Sequence, residues 1–310
     1  MSHRTAAGRA FTGSTRPHAT RRRLGSVIEI EDVPELHDPV MIAAFEGWND
    51  AGEAATATVL HLAREWEADT VAALDPEDYY DFQVARPLVV GRPGERHIDW
   101  RSTRILIASP DGLERDVVLV HGIEPSFRWR TFTEEIIELA AELGVRTVVA
   151  VGALLADVPH TRPIPVTATS DDERTIHRYD LEASTYEGPT GIVGVIADAA
   201  RQAGMASISL WAGIPHYAGY VPSPKATFAI VRALESLLDV ELPHADLEPD
   251  GQAWERGVDE AAENDDDIRE YVAQLERATD TAELPEASGE AIAKEFERYL
   301  RRRPEGPGGS

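Results

Sequence analysis

Short runs of β-branched and aliphatic residues alternate with helical hydrophobic periods from residue 27 to about residue 240. This alternation is typical of an α/β layer fold. Several of the runs are apolar throughout, as expected for strands that helices cover on both faces. Six strands are predicted, at residues 40–45, 70–74, 104–108, 117–120, 147–151 and 208–211.

Four helices with recognisable ends are predicted among these strands. In each of them apolar residues recur every three or four positions, which places them on one face. Polar cap residues mark three of the starts, and glycine marks two of the ends. The predicted end residues are Asp50 with Glu53 as a capping box, Thr133 with Gly144, Gly191 with Gly204, and Ser223 with Pro224.

The chain divides into four parts by composition. Residues 1–26 hold six Arg, no acid and no apolar period, which predicts a disordered basic arm. Residues 27–243 are the predicted α/β core, with a hairpin excursion at 91–100. Residues 244–303 are rich in Asp and Glu and predict an acidic helical subdomain of three short amphipathic helices. Residues 304–310 are rich in Pro and Gly and predict a flexible tail.

Composition and charge exclude several classes of function. The 310 residues carry 30 Lys and Arg against 55 Asp and Glu, a net charge of -25, and 43% of them are hydrophobic. Such a charge repels nucleic acid, and no apolar run reaches the roughly 18 residues of a membrane span. The absence of Cys excludes disulfides, thiolate metal sites and cysteine nucleophiles. We therefore expect a soluble cytoplasmic protein that binds neither nucleic acid nor membranes.

Polar and aromatic residues follow four of the predicted strands. Ligands of open α/β sheets bind at the carboxyl ends of the strands, so these residues are candidates for a site. If the strands are parallel neighbours, the side chains converge on one rim, which could bind a small anionic or sugar-like ligand. The candidate ligand-binding residues are Glu46, Trp48, Asn49, Asp50, His121, His160, Arg162 and His216.

Most of these side chains also have a structural interpretation. Asp50 fits a helix N-cap, and Glu46 and Asn49 can satisfy backbone donors of the turn after the strand. Histidines beside Gly or Pro at strand ends are typical of hydrogen-bonded structural imidazoles. Arg162, in so acidic a chain, is typical of an ion pair.

The usual catalytic and cofactor motifs are missing from the sequence. It contains no P-loop, no GxSxG elbow and no metal-ligand spacing. Residues 188–194 form a GxxGxxG that opens a helix, and close helix packing is the alternative to phosphate binding there. We expect no cofactor and no metal, and no catalytic residue is assigned.

Five stretches taken together resemble a known family. They are 45–52 (FEGWNDAG), 152–153 (GA), 159–163 (PHTRP), 188–191 (GPTG) and 211–217 (WAGIPHY). In order and spacing they are similar to the proteasome assembly chaperone 2 family, in its high-GC bacterial branch with a helical C-terminal extension. The resemblance implies a three-layer α/β/α sandwich similar to the nucleoside phosphorylase fold, usually in homo-oligomers. It also implies a role like that of relatives that help proteasome α subunits assemble without chemistry of their own.

Two main hypotheses follow. The first is a cytoplasmic, non-enzymatic homo-oligomer related to assembly chaperones, with proteasome α subunits as candidate partners and with exposed apolar positions in its C-terminal helices. The second is a protein that binds a nucleoside-like ligand, or a phosphorylase- or hydrolase-type enzyme, that uses the strand-end rim. It predicts that Glu46→Gln or His160→Ala abolishes ligand binding. A regulatory scaffold without a ligand is a third interpretation.

Overall fold

The computed structural model describes residue 33 and residues 35–281. The predicted basic arm, the predicted tail and the third predicted C-terminal helix, near residues 292–300, lie outside the described residues. In the described part, an eight-stranded sheet has helices on both faces, and a two-stranded hairpin forms a second sheet.

The central strands of the large sheet are parallel. The strands of the described part are β1 Val40–Glu46, β2 Asp69–Ala73, β3 Leu88–Val90, β4 His97–Asp99, β5 Arg104–Ala108, β6 Val117–Ile123, β7 Thr147–Ala156, β8 Val166–Ser170, β9 Glu182–Ala183 and β10 Ala206–Pro215. The large sheet has the order β2-β5-β6-β1-β7-β10-β8-β9, and β3 pairs with β4. Strands β6, β1, β7 and β10 run parallel, so their carboxyl ends meet at one edge.

The helices of the described part connect these strands or follow them. They are α1 Ala54–Glu65, α2 Pro76–Tyr79, α3 Trp129–Glu142, α4 Glu173–Tyr179, α5 Ile192–Gln202, α6 Pro224–Leu238, α7 Leu247–Glu263 and α8 Asp266–Thr281. Ser223 caps α6 by accepting a hydrogen bond from the backbone of Ala226, and Pro224 is the first helical residue, as predicted. The predicted start of α5 after Gly191 is also confirmed.

Apolar side chains on the two faces of the sheet form two separate cores. On one face Phe45 of β1 packs edge-to-face against Phe132 of α3, with ring centroids 5.7 Å apart, and α5 covers the same core. On the other face Ile42 lies in a core with Val59 of α1 and Ile230 of α6. Because β1 is covered on both sides, its sequence is apolar throughout. The predicted α/β/α architecture is confirmed.

Two predicted helix starts are wrong. Helix α3 begins at Trp129, one turn before Thr133, because Arg128 turns the chain with a φ of 54° and the Trp129 indole donates to the carbonyl oxygen of Pro125 at 2.6 Å. The predicted capping box before α1 does not form. Glu53 has a φ of 53° and precedes the helix, and Asp50 alone reaches its first turn.

Two predicted amphipathic helices of the acidic segment are present as α7 and α8. Gly251 lets α7 approach the start of α6 closely, since a Cβ at that position would lie 3.1 Å from the Cα of Lys225. Ala262 of α7 and Val272 and Leu275 of α8 are buried. These helices therefore bury their apolar sides within the protein. No helix within the described ranges is long and apolar enough to span a membrane.

Candidate functional site

The parallel arrangement of β6, β1, β7 and β10 brings the predicted rim residues to one edge of the sheet. Their side chains do not converge on one pocket there. They divide into a cluster at the end of β1 and β6, a cap on α1, and a cluster between β7, β10 and the C-terminal helices.

Glu46 and His121 lie together at the ends of β1 and β6. The Glu46 carboxylate pairs with Arg101, which the sequence analysis did not select, and the His121 Nε2 lies 3.9 Å from its Oε1. Arg101 reaches this edge because β5 is antiparallel to β6 and so begins where β6 ends. Burial lowers the pKa of His121 and so favours the neutral imidazole. The negative charge of Glu46 acts in the opposite direction.

Asn49 is held by Glu124, another residue that the sequence analysis did not select as a site residue. The Asn49 side-chain amide donates to Glu124 Oε1 at 2.7 Å, and the same oxygen accepts the backbone N–H of Ile192 at 2.9 Å. Glu124 thereby caps the N-terminus of α5 from a different loop. Gly191 is required at this point, because a Cβ there would lie 2.2 Å from Asn49 Oδ1.

The Asp50 side chain caps helix α1 as its structural interpretation predicted, although the N-cap position itself is occupied by Glu53. Its Oδ1 accepts the backbone N–H of Ala55 at 2.8 Å and that of Thr56 at 3.2 Å, and the Thr56 hydroxyl donates to its Oδ2. The side chain is 8% exposed. Desolvation raises the pKa of Asp50 to about 6, although the hydrogen bonds from Thr56 and Ala55 act in the opposite direction.

This raised pKa makes stability depend on pH at Asp50. Because the folded-state pKa lies above the ordinary aspartate value of 3.8, the contribution is fully present below pH 3.8 and is lost as the pH rises through about 6. We expect the wild type to lose about 2 kcal/mol relative to Asp50→Asn between pH 4 and pH 7. Urea unfolding of both proteins across this range measures the difference. Parallel stability curves would contradict it.

His160 lies between the core and α7. Its ring is 1% exposed. The Nδ1 lies 2.7 Å from the Tyr217 hydroxyl, and the Nε2 lies 3.0 Å from Asp259 Oδ1 on α7. Lys225 bonds both the His160 carbonyl oxygen and Glu255 of α7. The imidazole is therefore fully engaged in contacts between the strand ends and the helix.

Arg162 and Thr161 bond acidic side chains of α8. Arg162 forms a two-pronged ion pair with Asp280, with N···O distances of 2.9 and 2.8 Å, and its Nη1 lies 3.2 Å from Glu276 Oε1. The Thr161 hydroxyl donates to Glu276 at 2.5 Å. The structural interpretation of Arg162, which predicted an ion pair, is confirmed.

His216 completes this second cluster. Its Nδ1 lies 3.5 Å from Asp157 Oδ1, and the Tyr271 hydroxyl of α8 donates to the same oxygen at 3.1 Å. The rings of His216 and Tyr271 pack edge-to-face with centroids 5.2 Å apart. His160, Arg162 and His216 thus all face the C-terminal helices. That any rim residue binds a ligand stays a prediction.

Trp48 lies apart from both clusters and lines a cavity of about 250 Å³ on the face of the sheet beside α5. Trp211 and a set of Ser and Thr side chains of β8 and β10 form its walls. Among the described residues, no group of three or more His, Asp or Glu side chains is placed to hold a metal ion.

The geometry defines a three-layer α/β/α protein that uses many of its strand-end polar groups to hold its own helices. A model of the PAC2 family matches residues 44–262. The crystal structure of a PAC2 family protein from Streptomyces avermitilis is 52% identical, with a TM-score of 0.72, over 76% of this chain and 100% of that chain. The chain belongs to the PAC2 family, which confirms the resemblance.

Two further solved structures are similar. A proteasome-assembly chaperone homologue from Mycobacterium tuberculosis is 46% identical, with a TM-score of 0.69, over 75% of this chain and 99% of that chain. A protein of unknown function from the same organism is 26% identical, with a TM-score of 0.77, over 94% of this chain and 100% of that chain. A search of the curated proteins gives no match.

Proposed function

We propose that this protein is a cytoplasmic, non-enzymatic homo-oligomer with a role like that of proteasome-assembly chaperones, and that proteasome α subunits are its partners. The observation that carries the proposal is membership of the PAC2 family together with 46% identity to a proteasome-assembly chaperone homologue. Function is a property of surfaces and sites rather than of the fold, so an assembly role requires a surface that can bind a partner.

Internal contacts of the strand-end side chains argue against catalysis there. Asp50 caps α1, Glu124 caps α5, and His160 and Arg162 bond α7 and α8. A general acid or base needs a free position within hydrogen-bond reach of a substrate. These four side chains instead use their polar atoms on the protein's own backbone and side chains.

The hairpin β3–β4 offers a surface for protein association. Val89 is 64% exposed and lies directly opposite Ile98 in the hairpin register. Trp100 is also exposed, and Leu88 is exposed on the opposite face of the hairpin. Val84 precedes the hairpin and is 80% exposed. Contiguous exposed apolar side chains on a soluble protein mark interaction sites.

Charge favours a second copy of the chain as the occupant of this hairpin surface. Residues 84–104 contain five Arg and only two acids, Glu95 and Asp99, whereas the chain as a whole carries a net charge of -25. A basic, apolar hairpin therefore meets an acidic surface on any other copy, and complementary charge brings such surfaces together.

The described part of the C-terminal helices does not carry the exposed apolar positions that the chaperone hypothesis predicted, and the third predicted helix lies outside the described residues. The chaperone hypothesis placed exposed apolar positions on the C-terminal helices. In α7 and α8, as far as these helices are described, no large apolar side chain is strongly exposed. Their apolar positions pack inward instead. Among the described residues, exposed large apolar side chains lie on and next to the hairpin β3–β4, and also at Leu60, Phe127, Tyr220 and Val221.

The double variant Val89→Glu with Ile98→Arg tests the hairpin surface. The two side chains form an opposite-charge cross-strand pair, which keeps the hairpin folded while removing its apolar face. We expect light scattering after size exclusion to show an oligomer for the wild type. For the variant we expect a dissociation constant of the oligomer that is at least about tenfold higher.

Leu60→Glu is the matched control, since Leu60 is an exposed apolar residue on α1, outside the hairpin. It is expected to keep the wild-type mass. A double variant that is as oligomeric as the wild type would contradict association through the hairpin.

A further inference from the structure

The cavity beside α5 is walled by hydroxyl groups where the rest of the same sheet face is apolar. On β10, Ile208 and Leu210 point into one core, and Ser207, Ser209 and Trp211 alternate with them on the opposite side. Strand β8 pairs with β10 so that Thr169 lies opposite Ser209 and Thr167 lies opposite Trp211. This register collects the hydroxyls into one ladder.

Three of these hydroxyls are available to a ligand. Ser207 donates to the carbonyl oxygen of Ala197, and Ser170 donates to that of Ser207. The hydroxyls of Thr167, Thr169 and Ser209 make no hydrogen bond to any residue that the structure describes. Each offers one donor and two acceptor positions to whatever enters the cavity.

An aromatic wall stands beside the hydroxyl ladder. Trp211 lies across β7 at Gly152, where a Cβ would come within 2.7 Å of the indole carbons. The absence of a side chain at Gly152 therefore leaves room for the Trp211 indole to lie against the sheet. Trp48 and Tyr186 also line the cavity, and on α5 the small residues Gly194 and Ala197 leave the space open.

The charges in the cavity disfavour an anion. Asp171, Glu182 and Asp198 line it, and the lining cation, Arg201, lies 2.5 Å from an Asp198 carboxylate oxygen. A phosphate or carboxylate would meet net negative charge. A ligand that accepts hydrogen bonds from hydroxyls and donates to carboxylates, without a charge of its own, is matched by these walls.

We infer that this cavity binds one neutral polyhydroxylated ring, of the chemical class of a single sugar or a cyclitol. The ring hydroxyls bond Thr167, Thr169 and Ser209, and a C–H face packs on an indole, since aromatic faces combine apolar area with defined geometry. The volume of about 250 Å³ lies below the roughly 300–1,000 Å³ of pockets that hold drug-sized ligands, which suits a ligand of one ring. The inference is independent of the proteasome-related role.

The probes for this site are D-glucose, D-ribose, D-mannose and myo-inositol, titrated into the full chain with indole fluorescence and saturation-transfer NMR as readouts. We expect at least one to give a saturable signal with a dissociation constant on the order of 1 mM. Inorganic phosphate is expected to give none.

Thr169→Val removes one hydroxyl at almost constant shape, and Ser209→Leu fills the cavity. Both are expected to weaken binding of the responding probe by about tenfold or more, because a site built for hydroxyls loses a partner or its space. Thr70→Val, an exposed Thr on β2, is the matched control with wild-type affinity. The inference would be overturned if none of the four probes gave a saturable signal, if the affinity were unchanged in Thr169→Val and Ser209→Leu, or if phosphate bound preferentially.

Discussion

Glu124→Ala is expected to destabilise the fold by about 2–5 kcal/mol. Its Oε1 accepts from both the Asn49 amide and the Ile192 backbone N–H, and Asn49 is fully buried. Removing the carboxylate leaves two donors without their partner, and each such loss costs about 1–3 kcal/mol. Chemical denaturation monitored by circular dichroism measures the change.

Glu124→Gln separates this role from a charge effect. Both hydrogen bonds end on a single oxygen, so the carbonyl oxygen of Gln can accept them, and the expected loss is about 1 kcal/mol. Glu134→Ala, at an exposed position of α3, serves as the control with little change. Equal stability of wild type and Glu124→Ala would show that the carboxylate does not join the β1 loop to α5.

His160→Ala is expected to destabilise the protein by about 3 kcal/mol and to loosen α7. The substitution opens a cavity at a buried position and removes the side-chain contacts to Tyr217 and Asp259. Hydrogen exchange is the informative measurement, because a local role predicts faster exchange in α7 than in the strands of the sheet.

His177→Ala, an exposed His on α4, is the matched control for this variant. It should leave both stability and exchange in α7 unchanged. Uniform acceleration of exchange over the whole chain in His160→Ala, or none, would contradict the interpretation that His160 holds α7 to the strand ends.

The central sheet could be predicted because its signals are local. The central strand β1 is covered on both faces and is apolar almost throughout, and Ser223 with Pro224 marks a helix start by side-chain geometry alone. Strand β8 was missed because its sequence, VTATS, has no apolar run. Its hydroxyls face the cavity beside α5 instead of a core, which only the pairing with β10 shows.

The candidate site could be predicted only in part. Convergence of the strand ends follows from the parallel order of the sheet, and the topology confirms it. The partners of the rim residues depend on long-range packing. Asp259 and Asp280 lie about a hundred residues beyond His160 and Arg162, in a segment whose acids have the pattern of a solvated face.

The proposed chaperone-like role is tested most directly by capture of the tagged full chain from the cytoplasm of the cells that produce it. Quantitative mass spectrometry compares the captured proteins with those of a tag-only control. We expect proteasome α subunits to be enriched with the tagged protein. Recovery of α subunits at the level of the tag-only control would contradict the proposed role.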